Sequence, residues 1–287
     1  MNELIRICTF ENNDLFPVKT INESSYQELK QDCDTITNAY SQFIVFKYFQ
    51  VNVAEFKKCA EAFNKVPVTD VNINMNKDLN LLLILNKVIF NVLSSFNFFV
   101  DNGLKYLKRK YREPKVSDEF TLLTNKFYDN YFSYRFLWKL RHYYVHLGFP
   151  LVALNYDADL SEIDPEKRHG EIKLELYTEM LTMEKDIFKS NLCEEINKYG
   201  DTINLKPLIE ELEKIGSEIQ RYIYKCQKEE LNLAIQNIET FVGQYKTKTN
   251  TLKITLNQEQ KGRIHNMSIV SIPFDMISEY KETYQIT

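Results

Sequence analysis

Apolar side chains recur at three- and four-residue intervals through most of this chain, the signature of helices with one buried face. From Pro207 onward they fall at Leu208, Leu212, Ile215, Ile219, Tyr222, Ile223 and Cys226, which predicts a long amphipathic helix continuing to Tyr245. Leu29, Ile36, Ala39, Tyr40, Phe43, Val45 and Phe46 predict another, capped by Ser24 or Ser25 and running towards Asn64. Pro67 and the polar run up to Asn76 end it. Asp78 is the expected cap of a strongly apolar helix reaching Val100, with Asp101-Asn102-Gly103 as its stop signal. Leu104, Tyr106 and Leu107 allow a further turn or two before Pro114. Ser117 opens the next helix, expected to run through Phe120 to His146 and to end near Gly148. Glycine suits the left-handed position after a helix, and Pro150 cannot continue one. Two such helices joined by a modest loop pack antiparallel, which sets Arg141 opposite about Val88.

The periodicity changes at both ends of the chain. Leu4 to Phe10 reads as a short strand leading to a loop at Pro17. A polar loop from Asn155 to Gly170 precedes a helix expected over Glu171–Lys198. Leu252, Ile254 and Leu256 alternate, and Met267 to Ile272 is short and β-branched, so a small C-terminal hairpin fits there. The fold class is therefore mainly α, in three regions that can form one domain. They are an N-terminal helical region (1–76), a central helical hairpin (77–154) and a C-terminal helical extension (155–287), the last a natural place for regulation.

Composition supports long helices, because only 7 glycines and 7 prolines punctuate 287 residues. A net charge of −4 argues against electrostatic coating of nucleic acid and leaves room only for local basic sites. The one dense cluster is Lys105 to Arg112, most simply the solvated end of a helix. Five widely spaced cysteines without a Cys-x-x-Cys pair point to buried thiols in a reducing compartment. The N-terminal residues lack the apolar core of a signal peptide. The apolar stretch Leu79–Val100 is interrupted by Asn80, Asn86, Lys87, Asn91 and Asn97, so it reads as a buried helix and not a membrane span. A cytoplasmic protein without a membrane partner is expected.

The chemistry concentrates in RFLWKLRHYYVHLGFPL, where two of the four histidines lie within five residues of each other. Arg141 is followed by the polar His142 and, five positions on, by His146. An arginine supplies a fixed fork of donors to phosphate oxygens and keeps its charge. A histidine near neutrality can take or give a proton. Placed in the last turn, His146 would feel the negative end of the helix, which favours imidazolium and an acid role. Five residues correspond to about 140° of net rotation, so Arg141 and His146 do not share a face of a regular helix. They converge only if the helix end unwinds or a second subunit contributes. His142 and His146, four apart, do share one.

This segment, with its Tyr134-Arg135-Phe136-Leu137 lead-in and Gly148-Phe149-Pro150 exit, resembles the HEPN family, whose signature is an arginine, a polar residue and a later histidine on one helix. The resemblance covers about residues 78–152 and is strongest over 131–151. It implies a HEPN-like helical bundle and a metal-independent endoribonuclease of the toxin or anti-phage defence type. Its RNA products would carry 2′,3′-cyclic phosphate and 5′-hydroxyl ends. It further implies a homodimer with a composite site, catalytic Arg141 and His146 assisted by His142, no cofactor, and an antitoxin or activator protein as a partner. Arg135 and His142 match the bare motif too, but Phe136 follows Arg135 and departs from the pattern. Candidate supporting groups are Asn86, Asn91, Asp101 and Tyr144, with Asp101 some 20 Å from Arg141 along the axis unless a break at Gly103 changes the register.

Other readings stay open at this point. Two histidines four apart can hold zinc, although Tyr143 stands where a metalloprotease helix carries its glutamate and no third ligand is evident. In an ordinary bundle Arg141 would pair with a carboxylate, and the asparagines and tyrosines would be satisfied core groups. The same helical surface could serve a non-catalytic module that holds RNA or a protein. Regulation by nucleotide transfer onto a tyrosine two residues after the histidine is disfavoured, because Gly148 occupies that position.

Overall fold

The computed structural model describes residues 2–63, 66–70, 79–159, 161, 163–246, 251–260 and 263–285. The chain opens with a hairpin, β1 (Asn2–Glu11) and β2 (Asp14–Ile21), followed by α1 (Glu23–Ala62) and the short β3 (Val66–Pro67). Next come α2 (Leu79–Lys110), α3 (Pro114–Asn130) and α4 (Phe132–His146). Three short strands, β4 (Asn155–Ala158), β5 (His169–Lys173) and β6 (Glu175–Tyr177), lead into α5 (Thr178–Met183) and α6 (Lys185–Asn197). After β7 (Thr202–Asn204) the long α7 (Leu205–Val242) precedes β8 (Thr251–Gln260), β9 (Arg263–Ser271) and α8 (Phe274–Tyr284). The protein is mainly helical with small sheets.

Two compact units emerge, one of residues 1–42 and 224–287, the other of residues 43–223. The divisions between them fall inside α1 and inside α7. The apolar stripes of these two helices run through without a linker, so pattern alone gives no boundary there.

In the first unit, an antiparallel sheet has the order β2-β1-β8-β9. Asn12 and Asn13 turn the first hairpin with φ of 51° and 70°, the paired positive values of a two-residue hairpin turn. Pro17 thus lies within a strand, where a loop was expected. It is tolerated because β2 is an edge strand and the register slips there, between Ile7 and Cys8. The expected C-terminal hairpin exists as β8 and β9, and β8 also pairs with β1. Ile7, Leu252 and Ile254 are buried on one face of this sheet, and Cys8 and Thr255 on the other. Asn22, one residue before α1, accepts the amide of Ser25 at 2.8 Å and caps the helix in place of Ser24 or Ser25. α8 was not foreseen; Tyr280 is its fully buried anchor.

The second unit carries the motif. Its core is aromatic: Phe46, Phe49, Phe96 and Phe99 interlock at centroid separations of 5.2–6.5 Å. α2 is the one described helix long and apolar enough to cross a membrane, and half of its most apolar window is buried in the protein. Asp78, the expected cap, lies outside the described residues. α2 does not stop at Asp101-Asn102-Gly103. Gly103 is buried, and a Cβ there would meet Ile223 Cδ1 at 3.0 Å and Phe120 Cζ at 3.3 Å, so this glycine serves close packing. The long helix expected over Ser117–His146 is instead two, broken at Tyr131, which is extended (φ −116°, ψ 117°). The helix expected from Glu171 begins only at Thr178. Ile172, Leu174 and Leu176 point inward with a period of two, a strand pattern in β5 and β6.

Candidate active site

α4 is held against α2 by a polar clip. The buried Asn86 side chain donates to the carbonyls of Leu82 (2.9 Å) and Leu151 (2.8 Å). It accepts from the Tyr144 hydroxyl (3.0 Å) and the Leu151 amide (3.2 Å). All four of its hydrogen-bonding sites are filled. Tyr144, six per cent exposed, also stacks on Phe90 at 5.5 Å, and burial pushes its hydroxyl well above the ordinary tyrosine range. Asn86 and Tyr144 therefore hold the hairpin together and have nothing left for a substrate. Pairing of 86 with 144 is close to the antiparallel register that puts Arg141 opposite Val88.

Asp101 does not join this end of the hairpin. α2 is continuous, and 15 residues separate Asp101 from Asn86, about 22 Å along the axis. Burial raises the Tyr134 hydroxyl, and the charge of Asp101 adds to that rise. Asn91 is half-buried, five residues from Asn86 and so about 140° around α2 from the clip. Tyr143 is buried and packs on Phe188.

The two arginines of α4 differ sharply. Arg135 donates to the carbonyls of Tyr128 and Asp129, both at 2.7 Å, and to Glu195 at 2.5 Å. The first two are carbonyls left free at the end of α3, so Arg135 caps the helix that ends at Asn130. It is a structural group. Arg141 has a buried Nε with no hydrogen-bond partner. Among the described residues no carboxylate pairs with its guanidinium.

His142 and His146 present near-parallel rings, 6.2 Å between centroids and 24° between planes. Desolvation, reinforced by the positive charges of Lys139, Arg141 and His146, holds His142 below the usual histidine value of 6.5. At neutral pH it is thus an unprotonated imidazole able to accept a proton. His146 is the last residue of α4 and is exposed. The helix ends with the Leu147 amide on the Tyr143 carbonyl at 2.8 Å, followed by Gly148 at φ 104° in the expected position. Because α4 stays regular through His146, Arg141 and His146 remain about 140° apart on one chain. Unwinding does not bring them together.

Around this end Val145, Leu147, Phe149 and Val152 are each about half exposed, with Leu83 and Ile84 exposed on α2. That is an apolar fringe on a charged helix end. Among the described residues no third imidazole, thiol or carboxylate groups with the two histidines as a metal ligand set. Lys139 was missed in the sequence, although Arg135, Lys139, His142 and His146 follow one another at spacings of 4, 3 and 4, a single face of a helix. Comparison with protein-family models, with curated proteins and with solved structures gives no match.

Proposed function

We propose that this protein is a metal-independent endoribonuclease of the HEPN type, with Arg141, His142 and His146 as its catalytic groups. The observation that carries the reading is Arg141, whose buried Nε has no partner, on the same helix as the stacked histidine pair, in the segment that resembles the HEPN signature. A cation left without a carboxylate suits a phosphodiester, whose negative charge rises in the transition state.

In this reading the ribose 2′ oxygen attacks phosphorus while its proton passes to an unprotonated imidazole. The bond from phosphorus to the 5′ oxygen breaks, and a protonated imidazole supplies the departing oxygen's proton. The products are a 2′,3′-cyclic phosphate and a 5′-hydroxyl. His142, held neutral, suits the base role, and His146 the acid role. Arg141 steadies the phosphorane oxygens. No cofactor takes part.

Arg141 is turned away from His146 on its own helix, which supports a composite site in a homodimer, each copy giving Arg141 to its partner's histidines. The apolar fringe of Val145, Leu147, Phe149 and Val152 supports the same arrangement, since a shared interface would cover it. A cytoplasmic toxin or phage-defence role, restrained by an antitoxin or triggered by an activator protein, accompanies the reading.

The test is cleavage of total RNA in EDTA by the wild type, Arg141→Ala and His146→Ala, with the product ends identified. Metal-independent cleavage to cyclic phosphates, lost in both folded variants, supports the proposal. Intact RNA from a confirmed dimer overturns it in favour of a non-catalytic module. Cleavage that requires added metal favours a zinc site on His142 and His146.

A further inference from the structure

A cavity of about 620 Å³ opens beside α4, lined among others by Tyr128, Arg135, Lys139, Phe188, Lys189 and Glu195. Two of its cations remain available. Arg135 and Glu195 neutralise each other across its wall. Lys139 and Lys189 make no ion pair among the described residues. Asp129 is the remaining carboxylate of the lining, exposed at the rim.

The cavity and the candidate active site share α4, which lends Arg135 and Lys139 to the cavity lining and ends at His146. Lys139 lies three residues before His142, about 4.5 Å along the axis and 60° in rotation. It is near enough to His142 for its charge to act on that imidazole. Arg135, Lys139, His142 and His146 form one face, so a polyanion lying along it would meet the histidines first and Lys139 next. The far wall is fixed by Phe188, which packs on Phe136 and Tyr143 at 6.0 and 6.4 Å. Lys189 follows it with φ 53° and ψ 160°, inside a helix and in a region that favours glycine. The volume suits one nucleotide unit. Tyr128, half-buried in the wall, offers an aromatic group to a base.

We propose that this cavity is a subsite for the nucleotide flanking the scissile linkage, its phosphate held between Lys139 and Lys189 and its base placed by Tyr128. The inference rests on the endoribonuclease reading for what is cut, but not for what is bound. It makes the substrate a single-stranded RNA with at least one phosphodiester beyond the one cleaved.

The test is binding of a labelled single-stranded RNA oligonucleotide to the His146→Ala protein, alone and with Lys139→Ala, Lys139→Arg or Lys189→Gly added. Lys189→Gly removes a cation while fitting its backbone position, so loss of folding does not confound it. Affinity is expected to fall about tenfold with Lys139→Ala or Lys189→Gly and to be largely kept with Lys139→Arg. Log affinity against log salt should flatten by about 0.7 for each lysine lost. With His146 intact, the loss should appear in KM more than in kcat. It should also be larger for a trinucleotide than for a dinucleoside monophosphate, which carries no flanking phosphate. Unchanged affinity and salt slope in the lysine variants, when the wild type does cleave RNA, overturn the subsite alone. Lysine-dependent binding by a wild type that never cleaves overturns the nuclease reading and leaves the subsite standing.

Discussion

At the start of α4, Arg135 donates to two carbonyls at the end of α3 and to Glu195. Near the end of the same helix, Arg141 has a buried Nε without a partner. Both arginines stand before a histidine at a spacing compatible with the family signature, yet their surroundings separate them. The first has become part of the scaffold, its charge spent on a helix end and a carboxylate. The second keeps its charge while the scaffold around it, the Asn86 clip and the Tyr144 stack, holds its backbone still. A motif counts therefore only where the fold leaves its donors unsatisfied.

The sharpest way to break this contrast is to remove each arginine in turn. Arg141→Ala and His146→Ala are expected to lower RNA cleavage about 10²–10⁴-fold, with thermal unfolding nearly unchanged. Arg135→Ala should act the other way. It leaves carbonyls and Glu195 without their donor and should lower stability in urea by about 2 kcal/mol, part of the pair's worth being screened by solvent. Activity per folded molecule should survive. Equal loss of catalysis in both variants would erase the distinction.

Asn86→Ala sharpens the account of the scaffold. Its four bonds join α2 to α4 and to Leu151, and the Tyr144 hydroxyl and Leu151 amide would be left buried without partners. A stability loss of about 2–3 kcal/mol is expected, read by denaturant unfolding. No loss would mean that the clip does not hold the hairpin.

How much of this was legible in the sequence differed from element to element. The three-to-four spacing found α1 and α7, and Gly148 with Pro150 marked the end of α4, because those signals are local. Gly103 misled for the opposite reason: its role is set by Phe120 and Ile223, distant in the chain. The break at Tyr131 carries no glycine or proline and depends on Arg135 reaching back to α3. The strand character of Ile172, Leu174 and Leu176 was readable as alternation but was absorbed into a helix reading. At the candidate site, Arg141, His142 and His146 were singled out from their types and spacing. Asn86 and Tyr144 were candidate supporting groups that could equally be satisfied core groups, and their hydrogen bonds fit the second reading. Lys139 was readable from its helical spacing alone.

The smallest expected effect concerns pH. His142 binds its proton less tightly in the folded protein than its ordinary value of 6.5. As pH falls below 6.5 the unfolded chain takes up that proton first, so stability declines until the lower folded value is passed. His142→Gln should make the acid decline of stability shallower in that window. A decline identical to the wild type would mean that His142 is not held neutral by its surroundings.

The composite site is tested most directly by mixing Arg141→Ala protein with His146→Ala protein under conditions that exchange subunits. In a mixed dimer one site inherits both defects and the other receives an intact Arg141 from one copy and an intact His146 from its partner. The account predicts that cleavage, absent from either variant alone, returns in the mixture at a fraction of the wild-type rate. Mixed dimers that form and still leave RNA intact would contradict it.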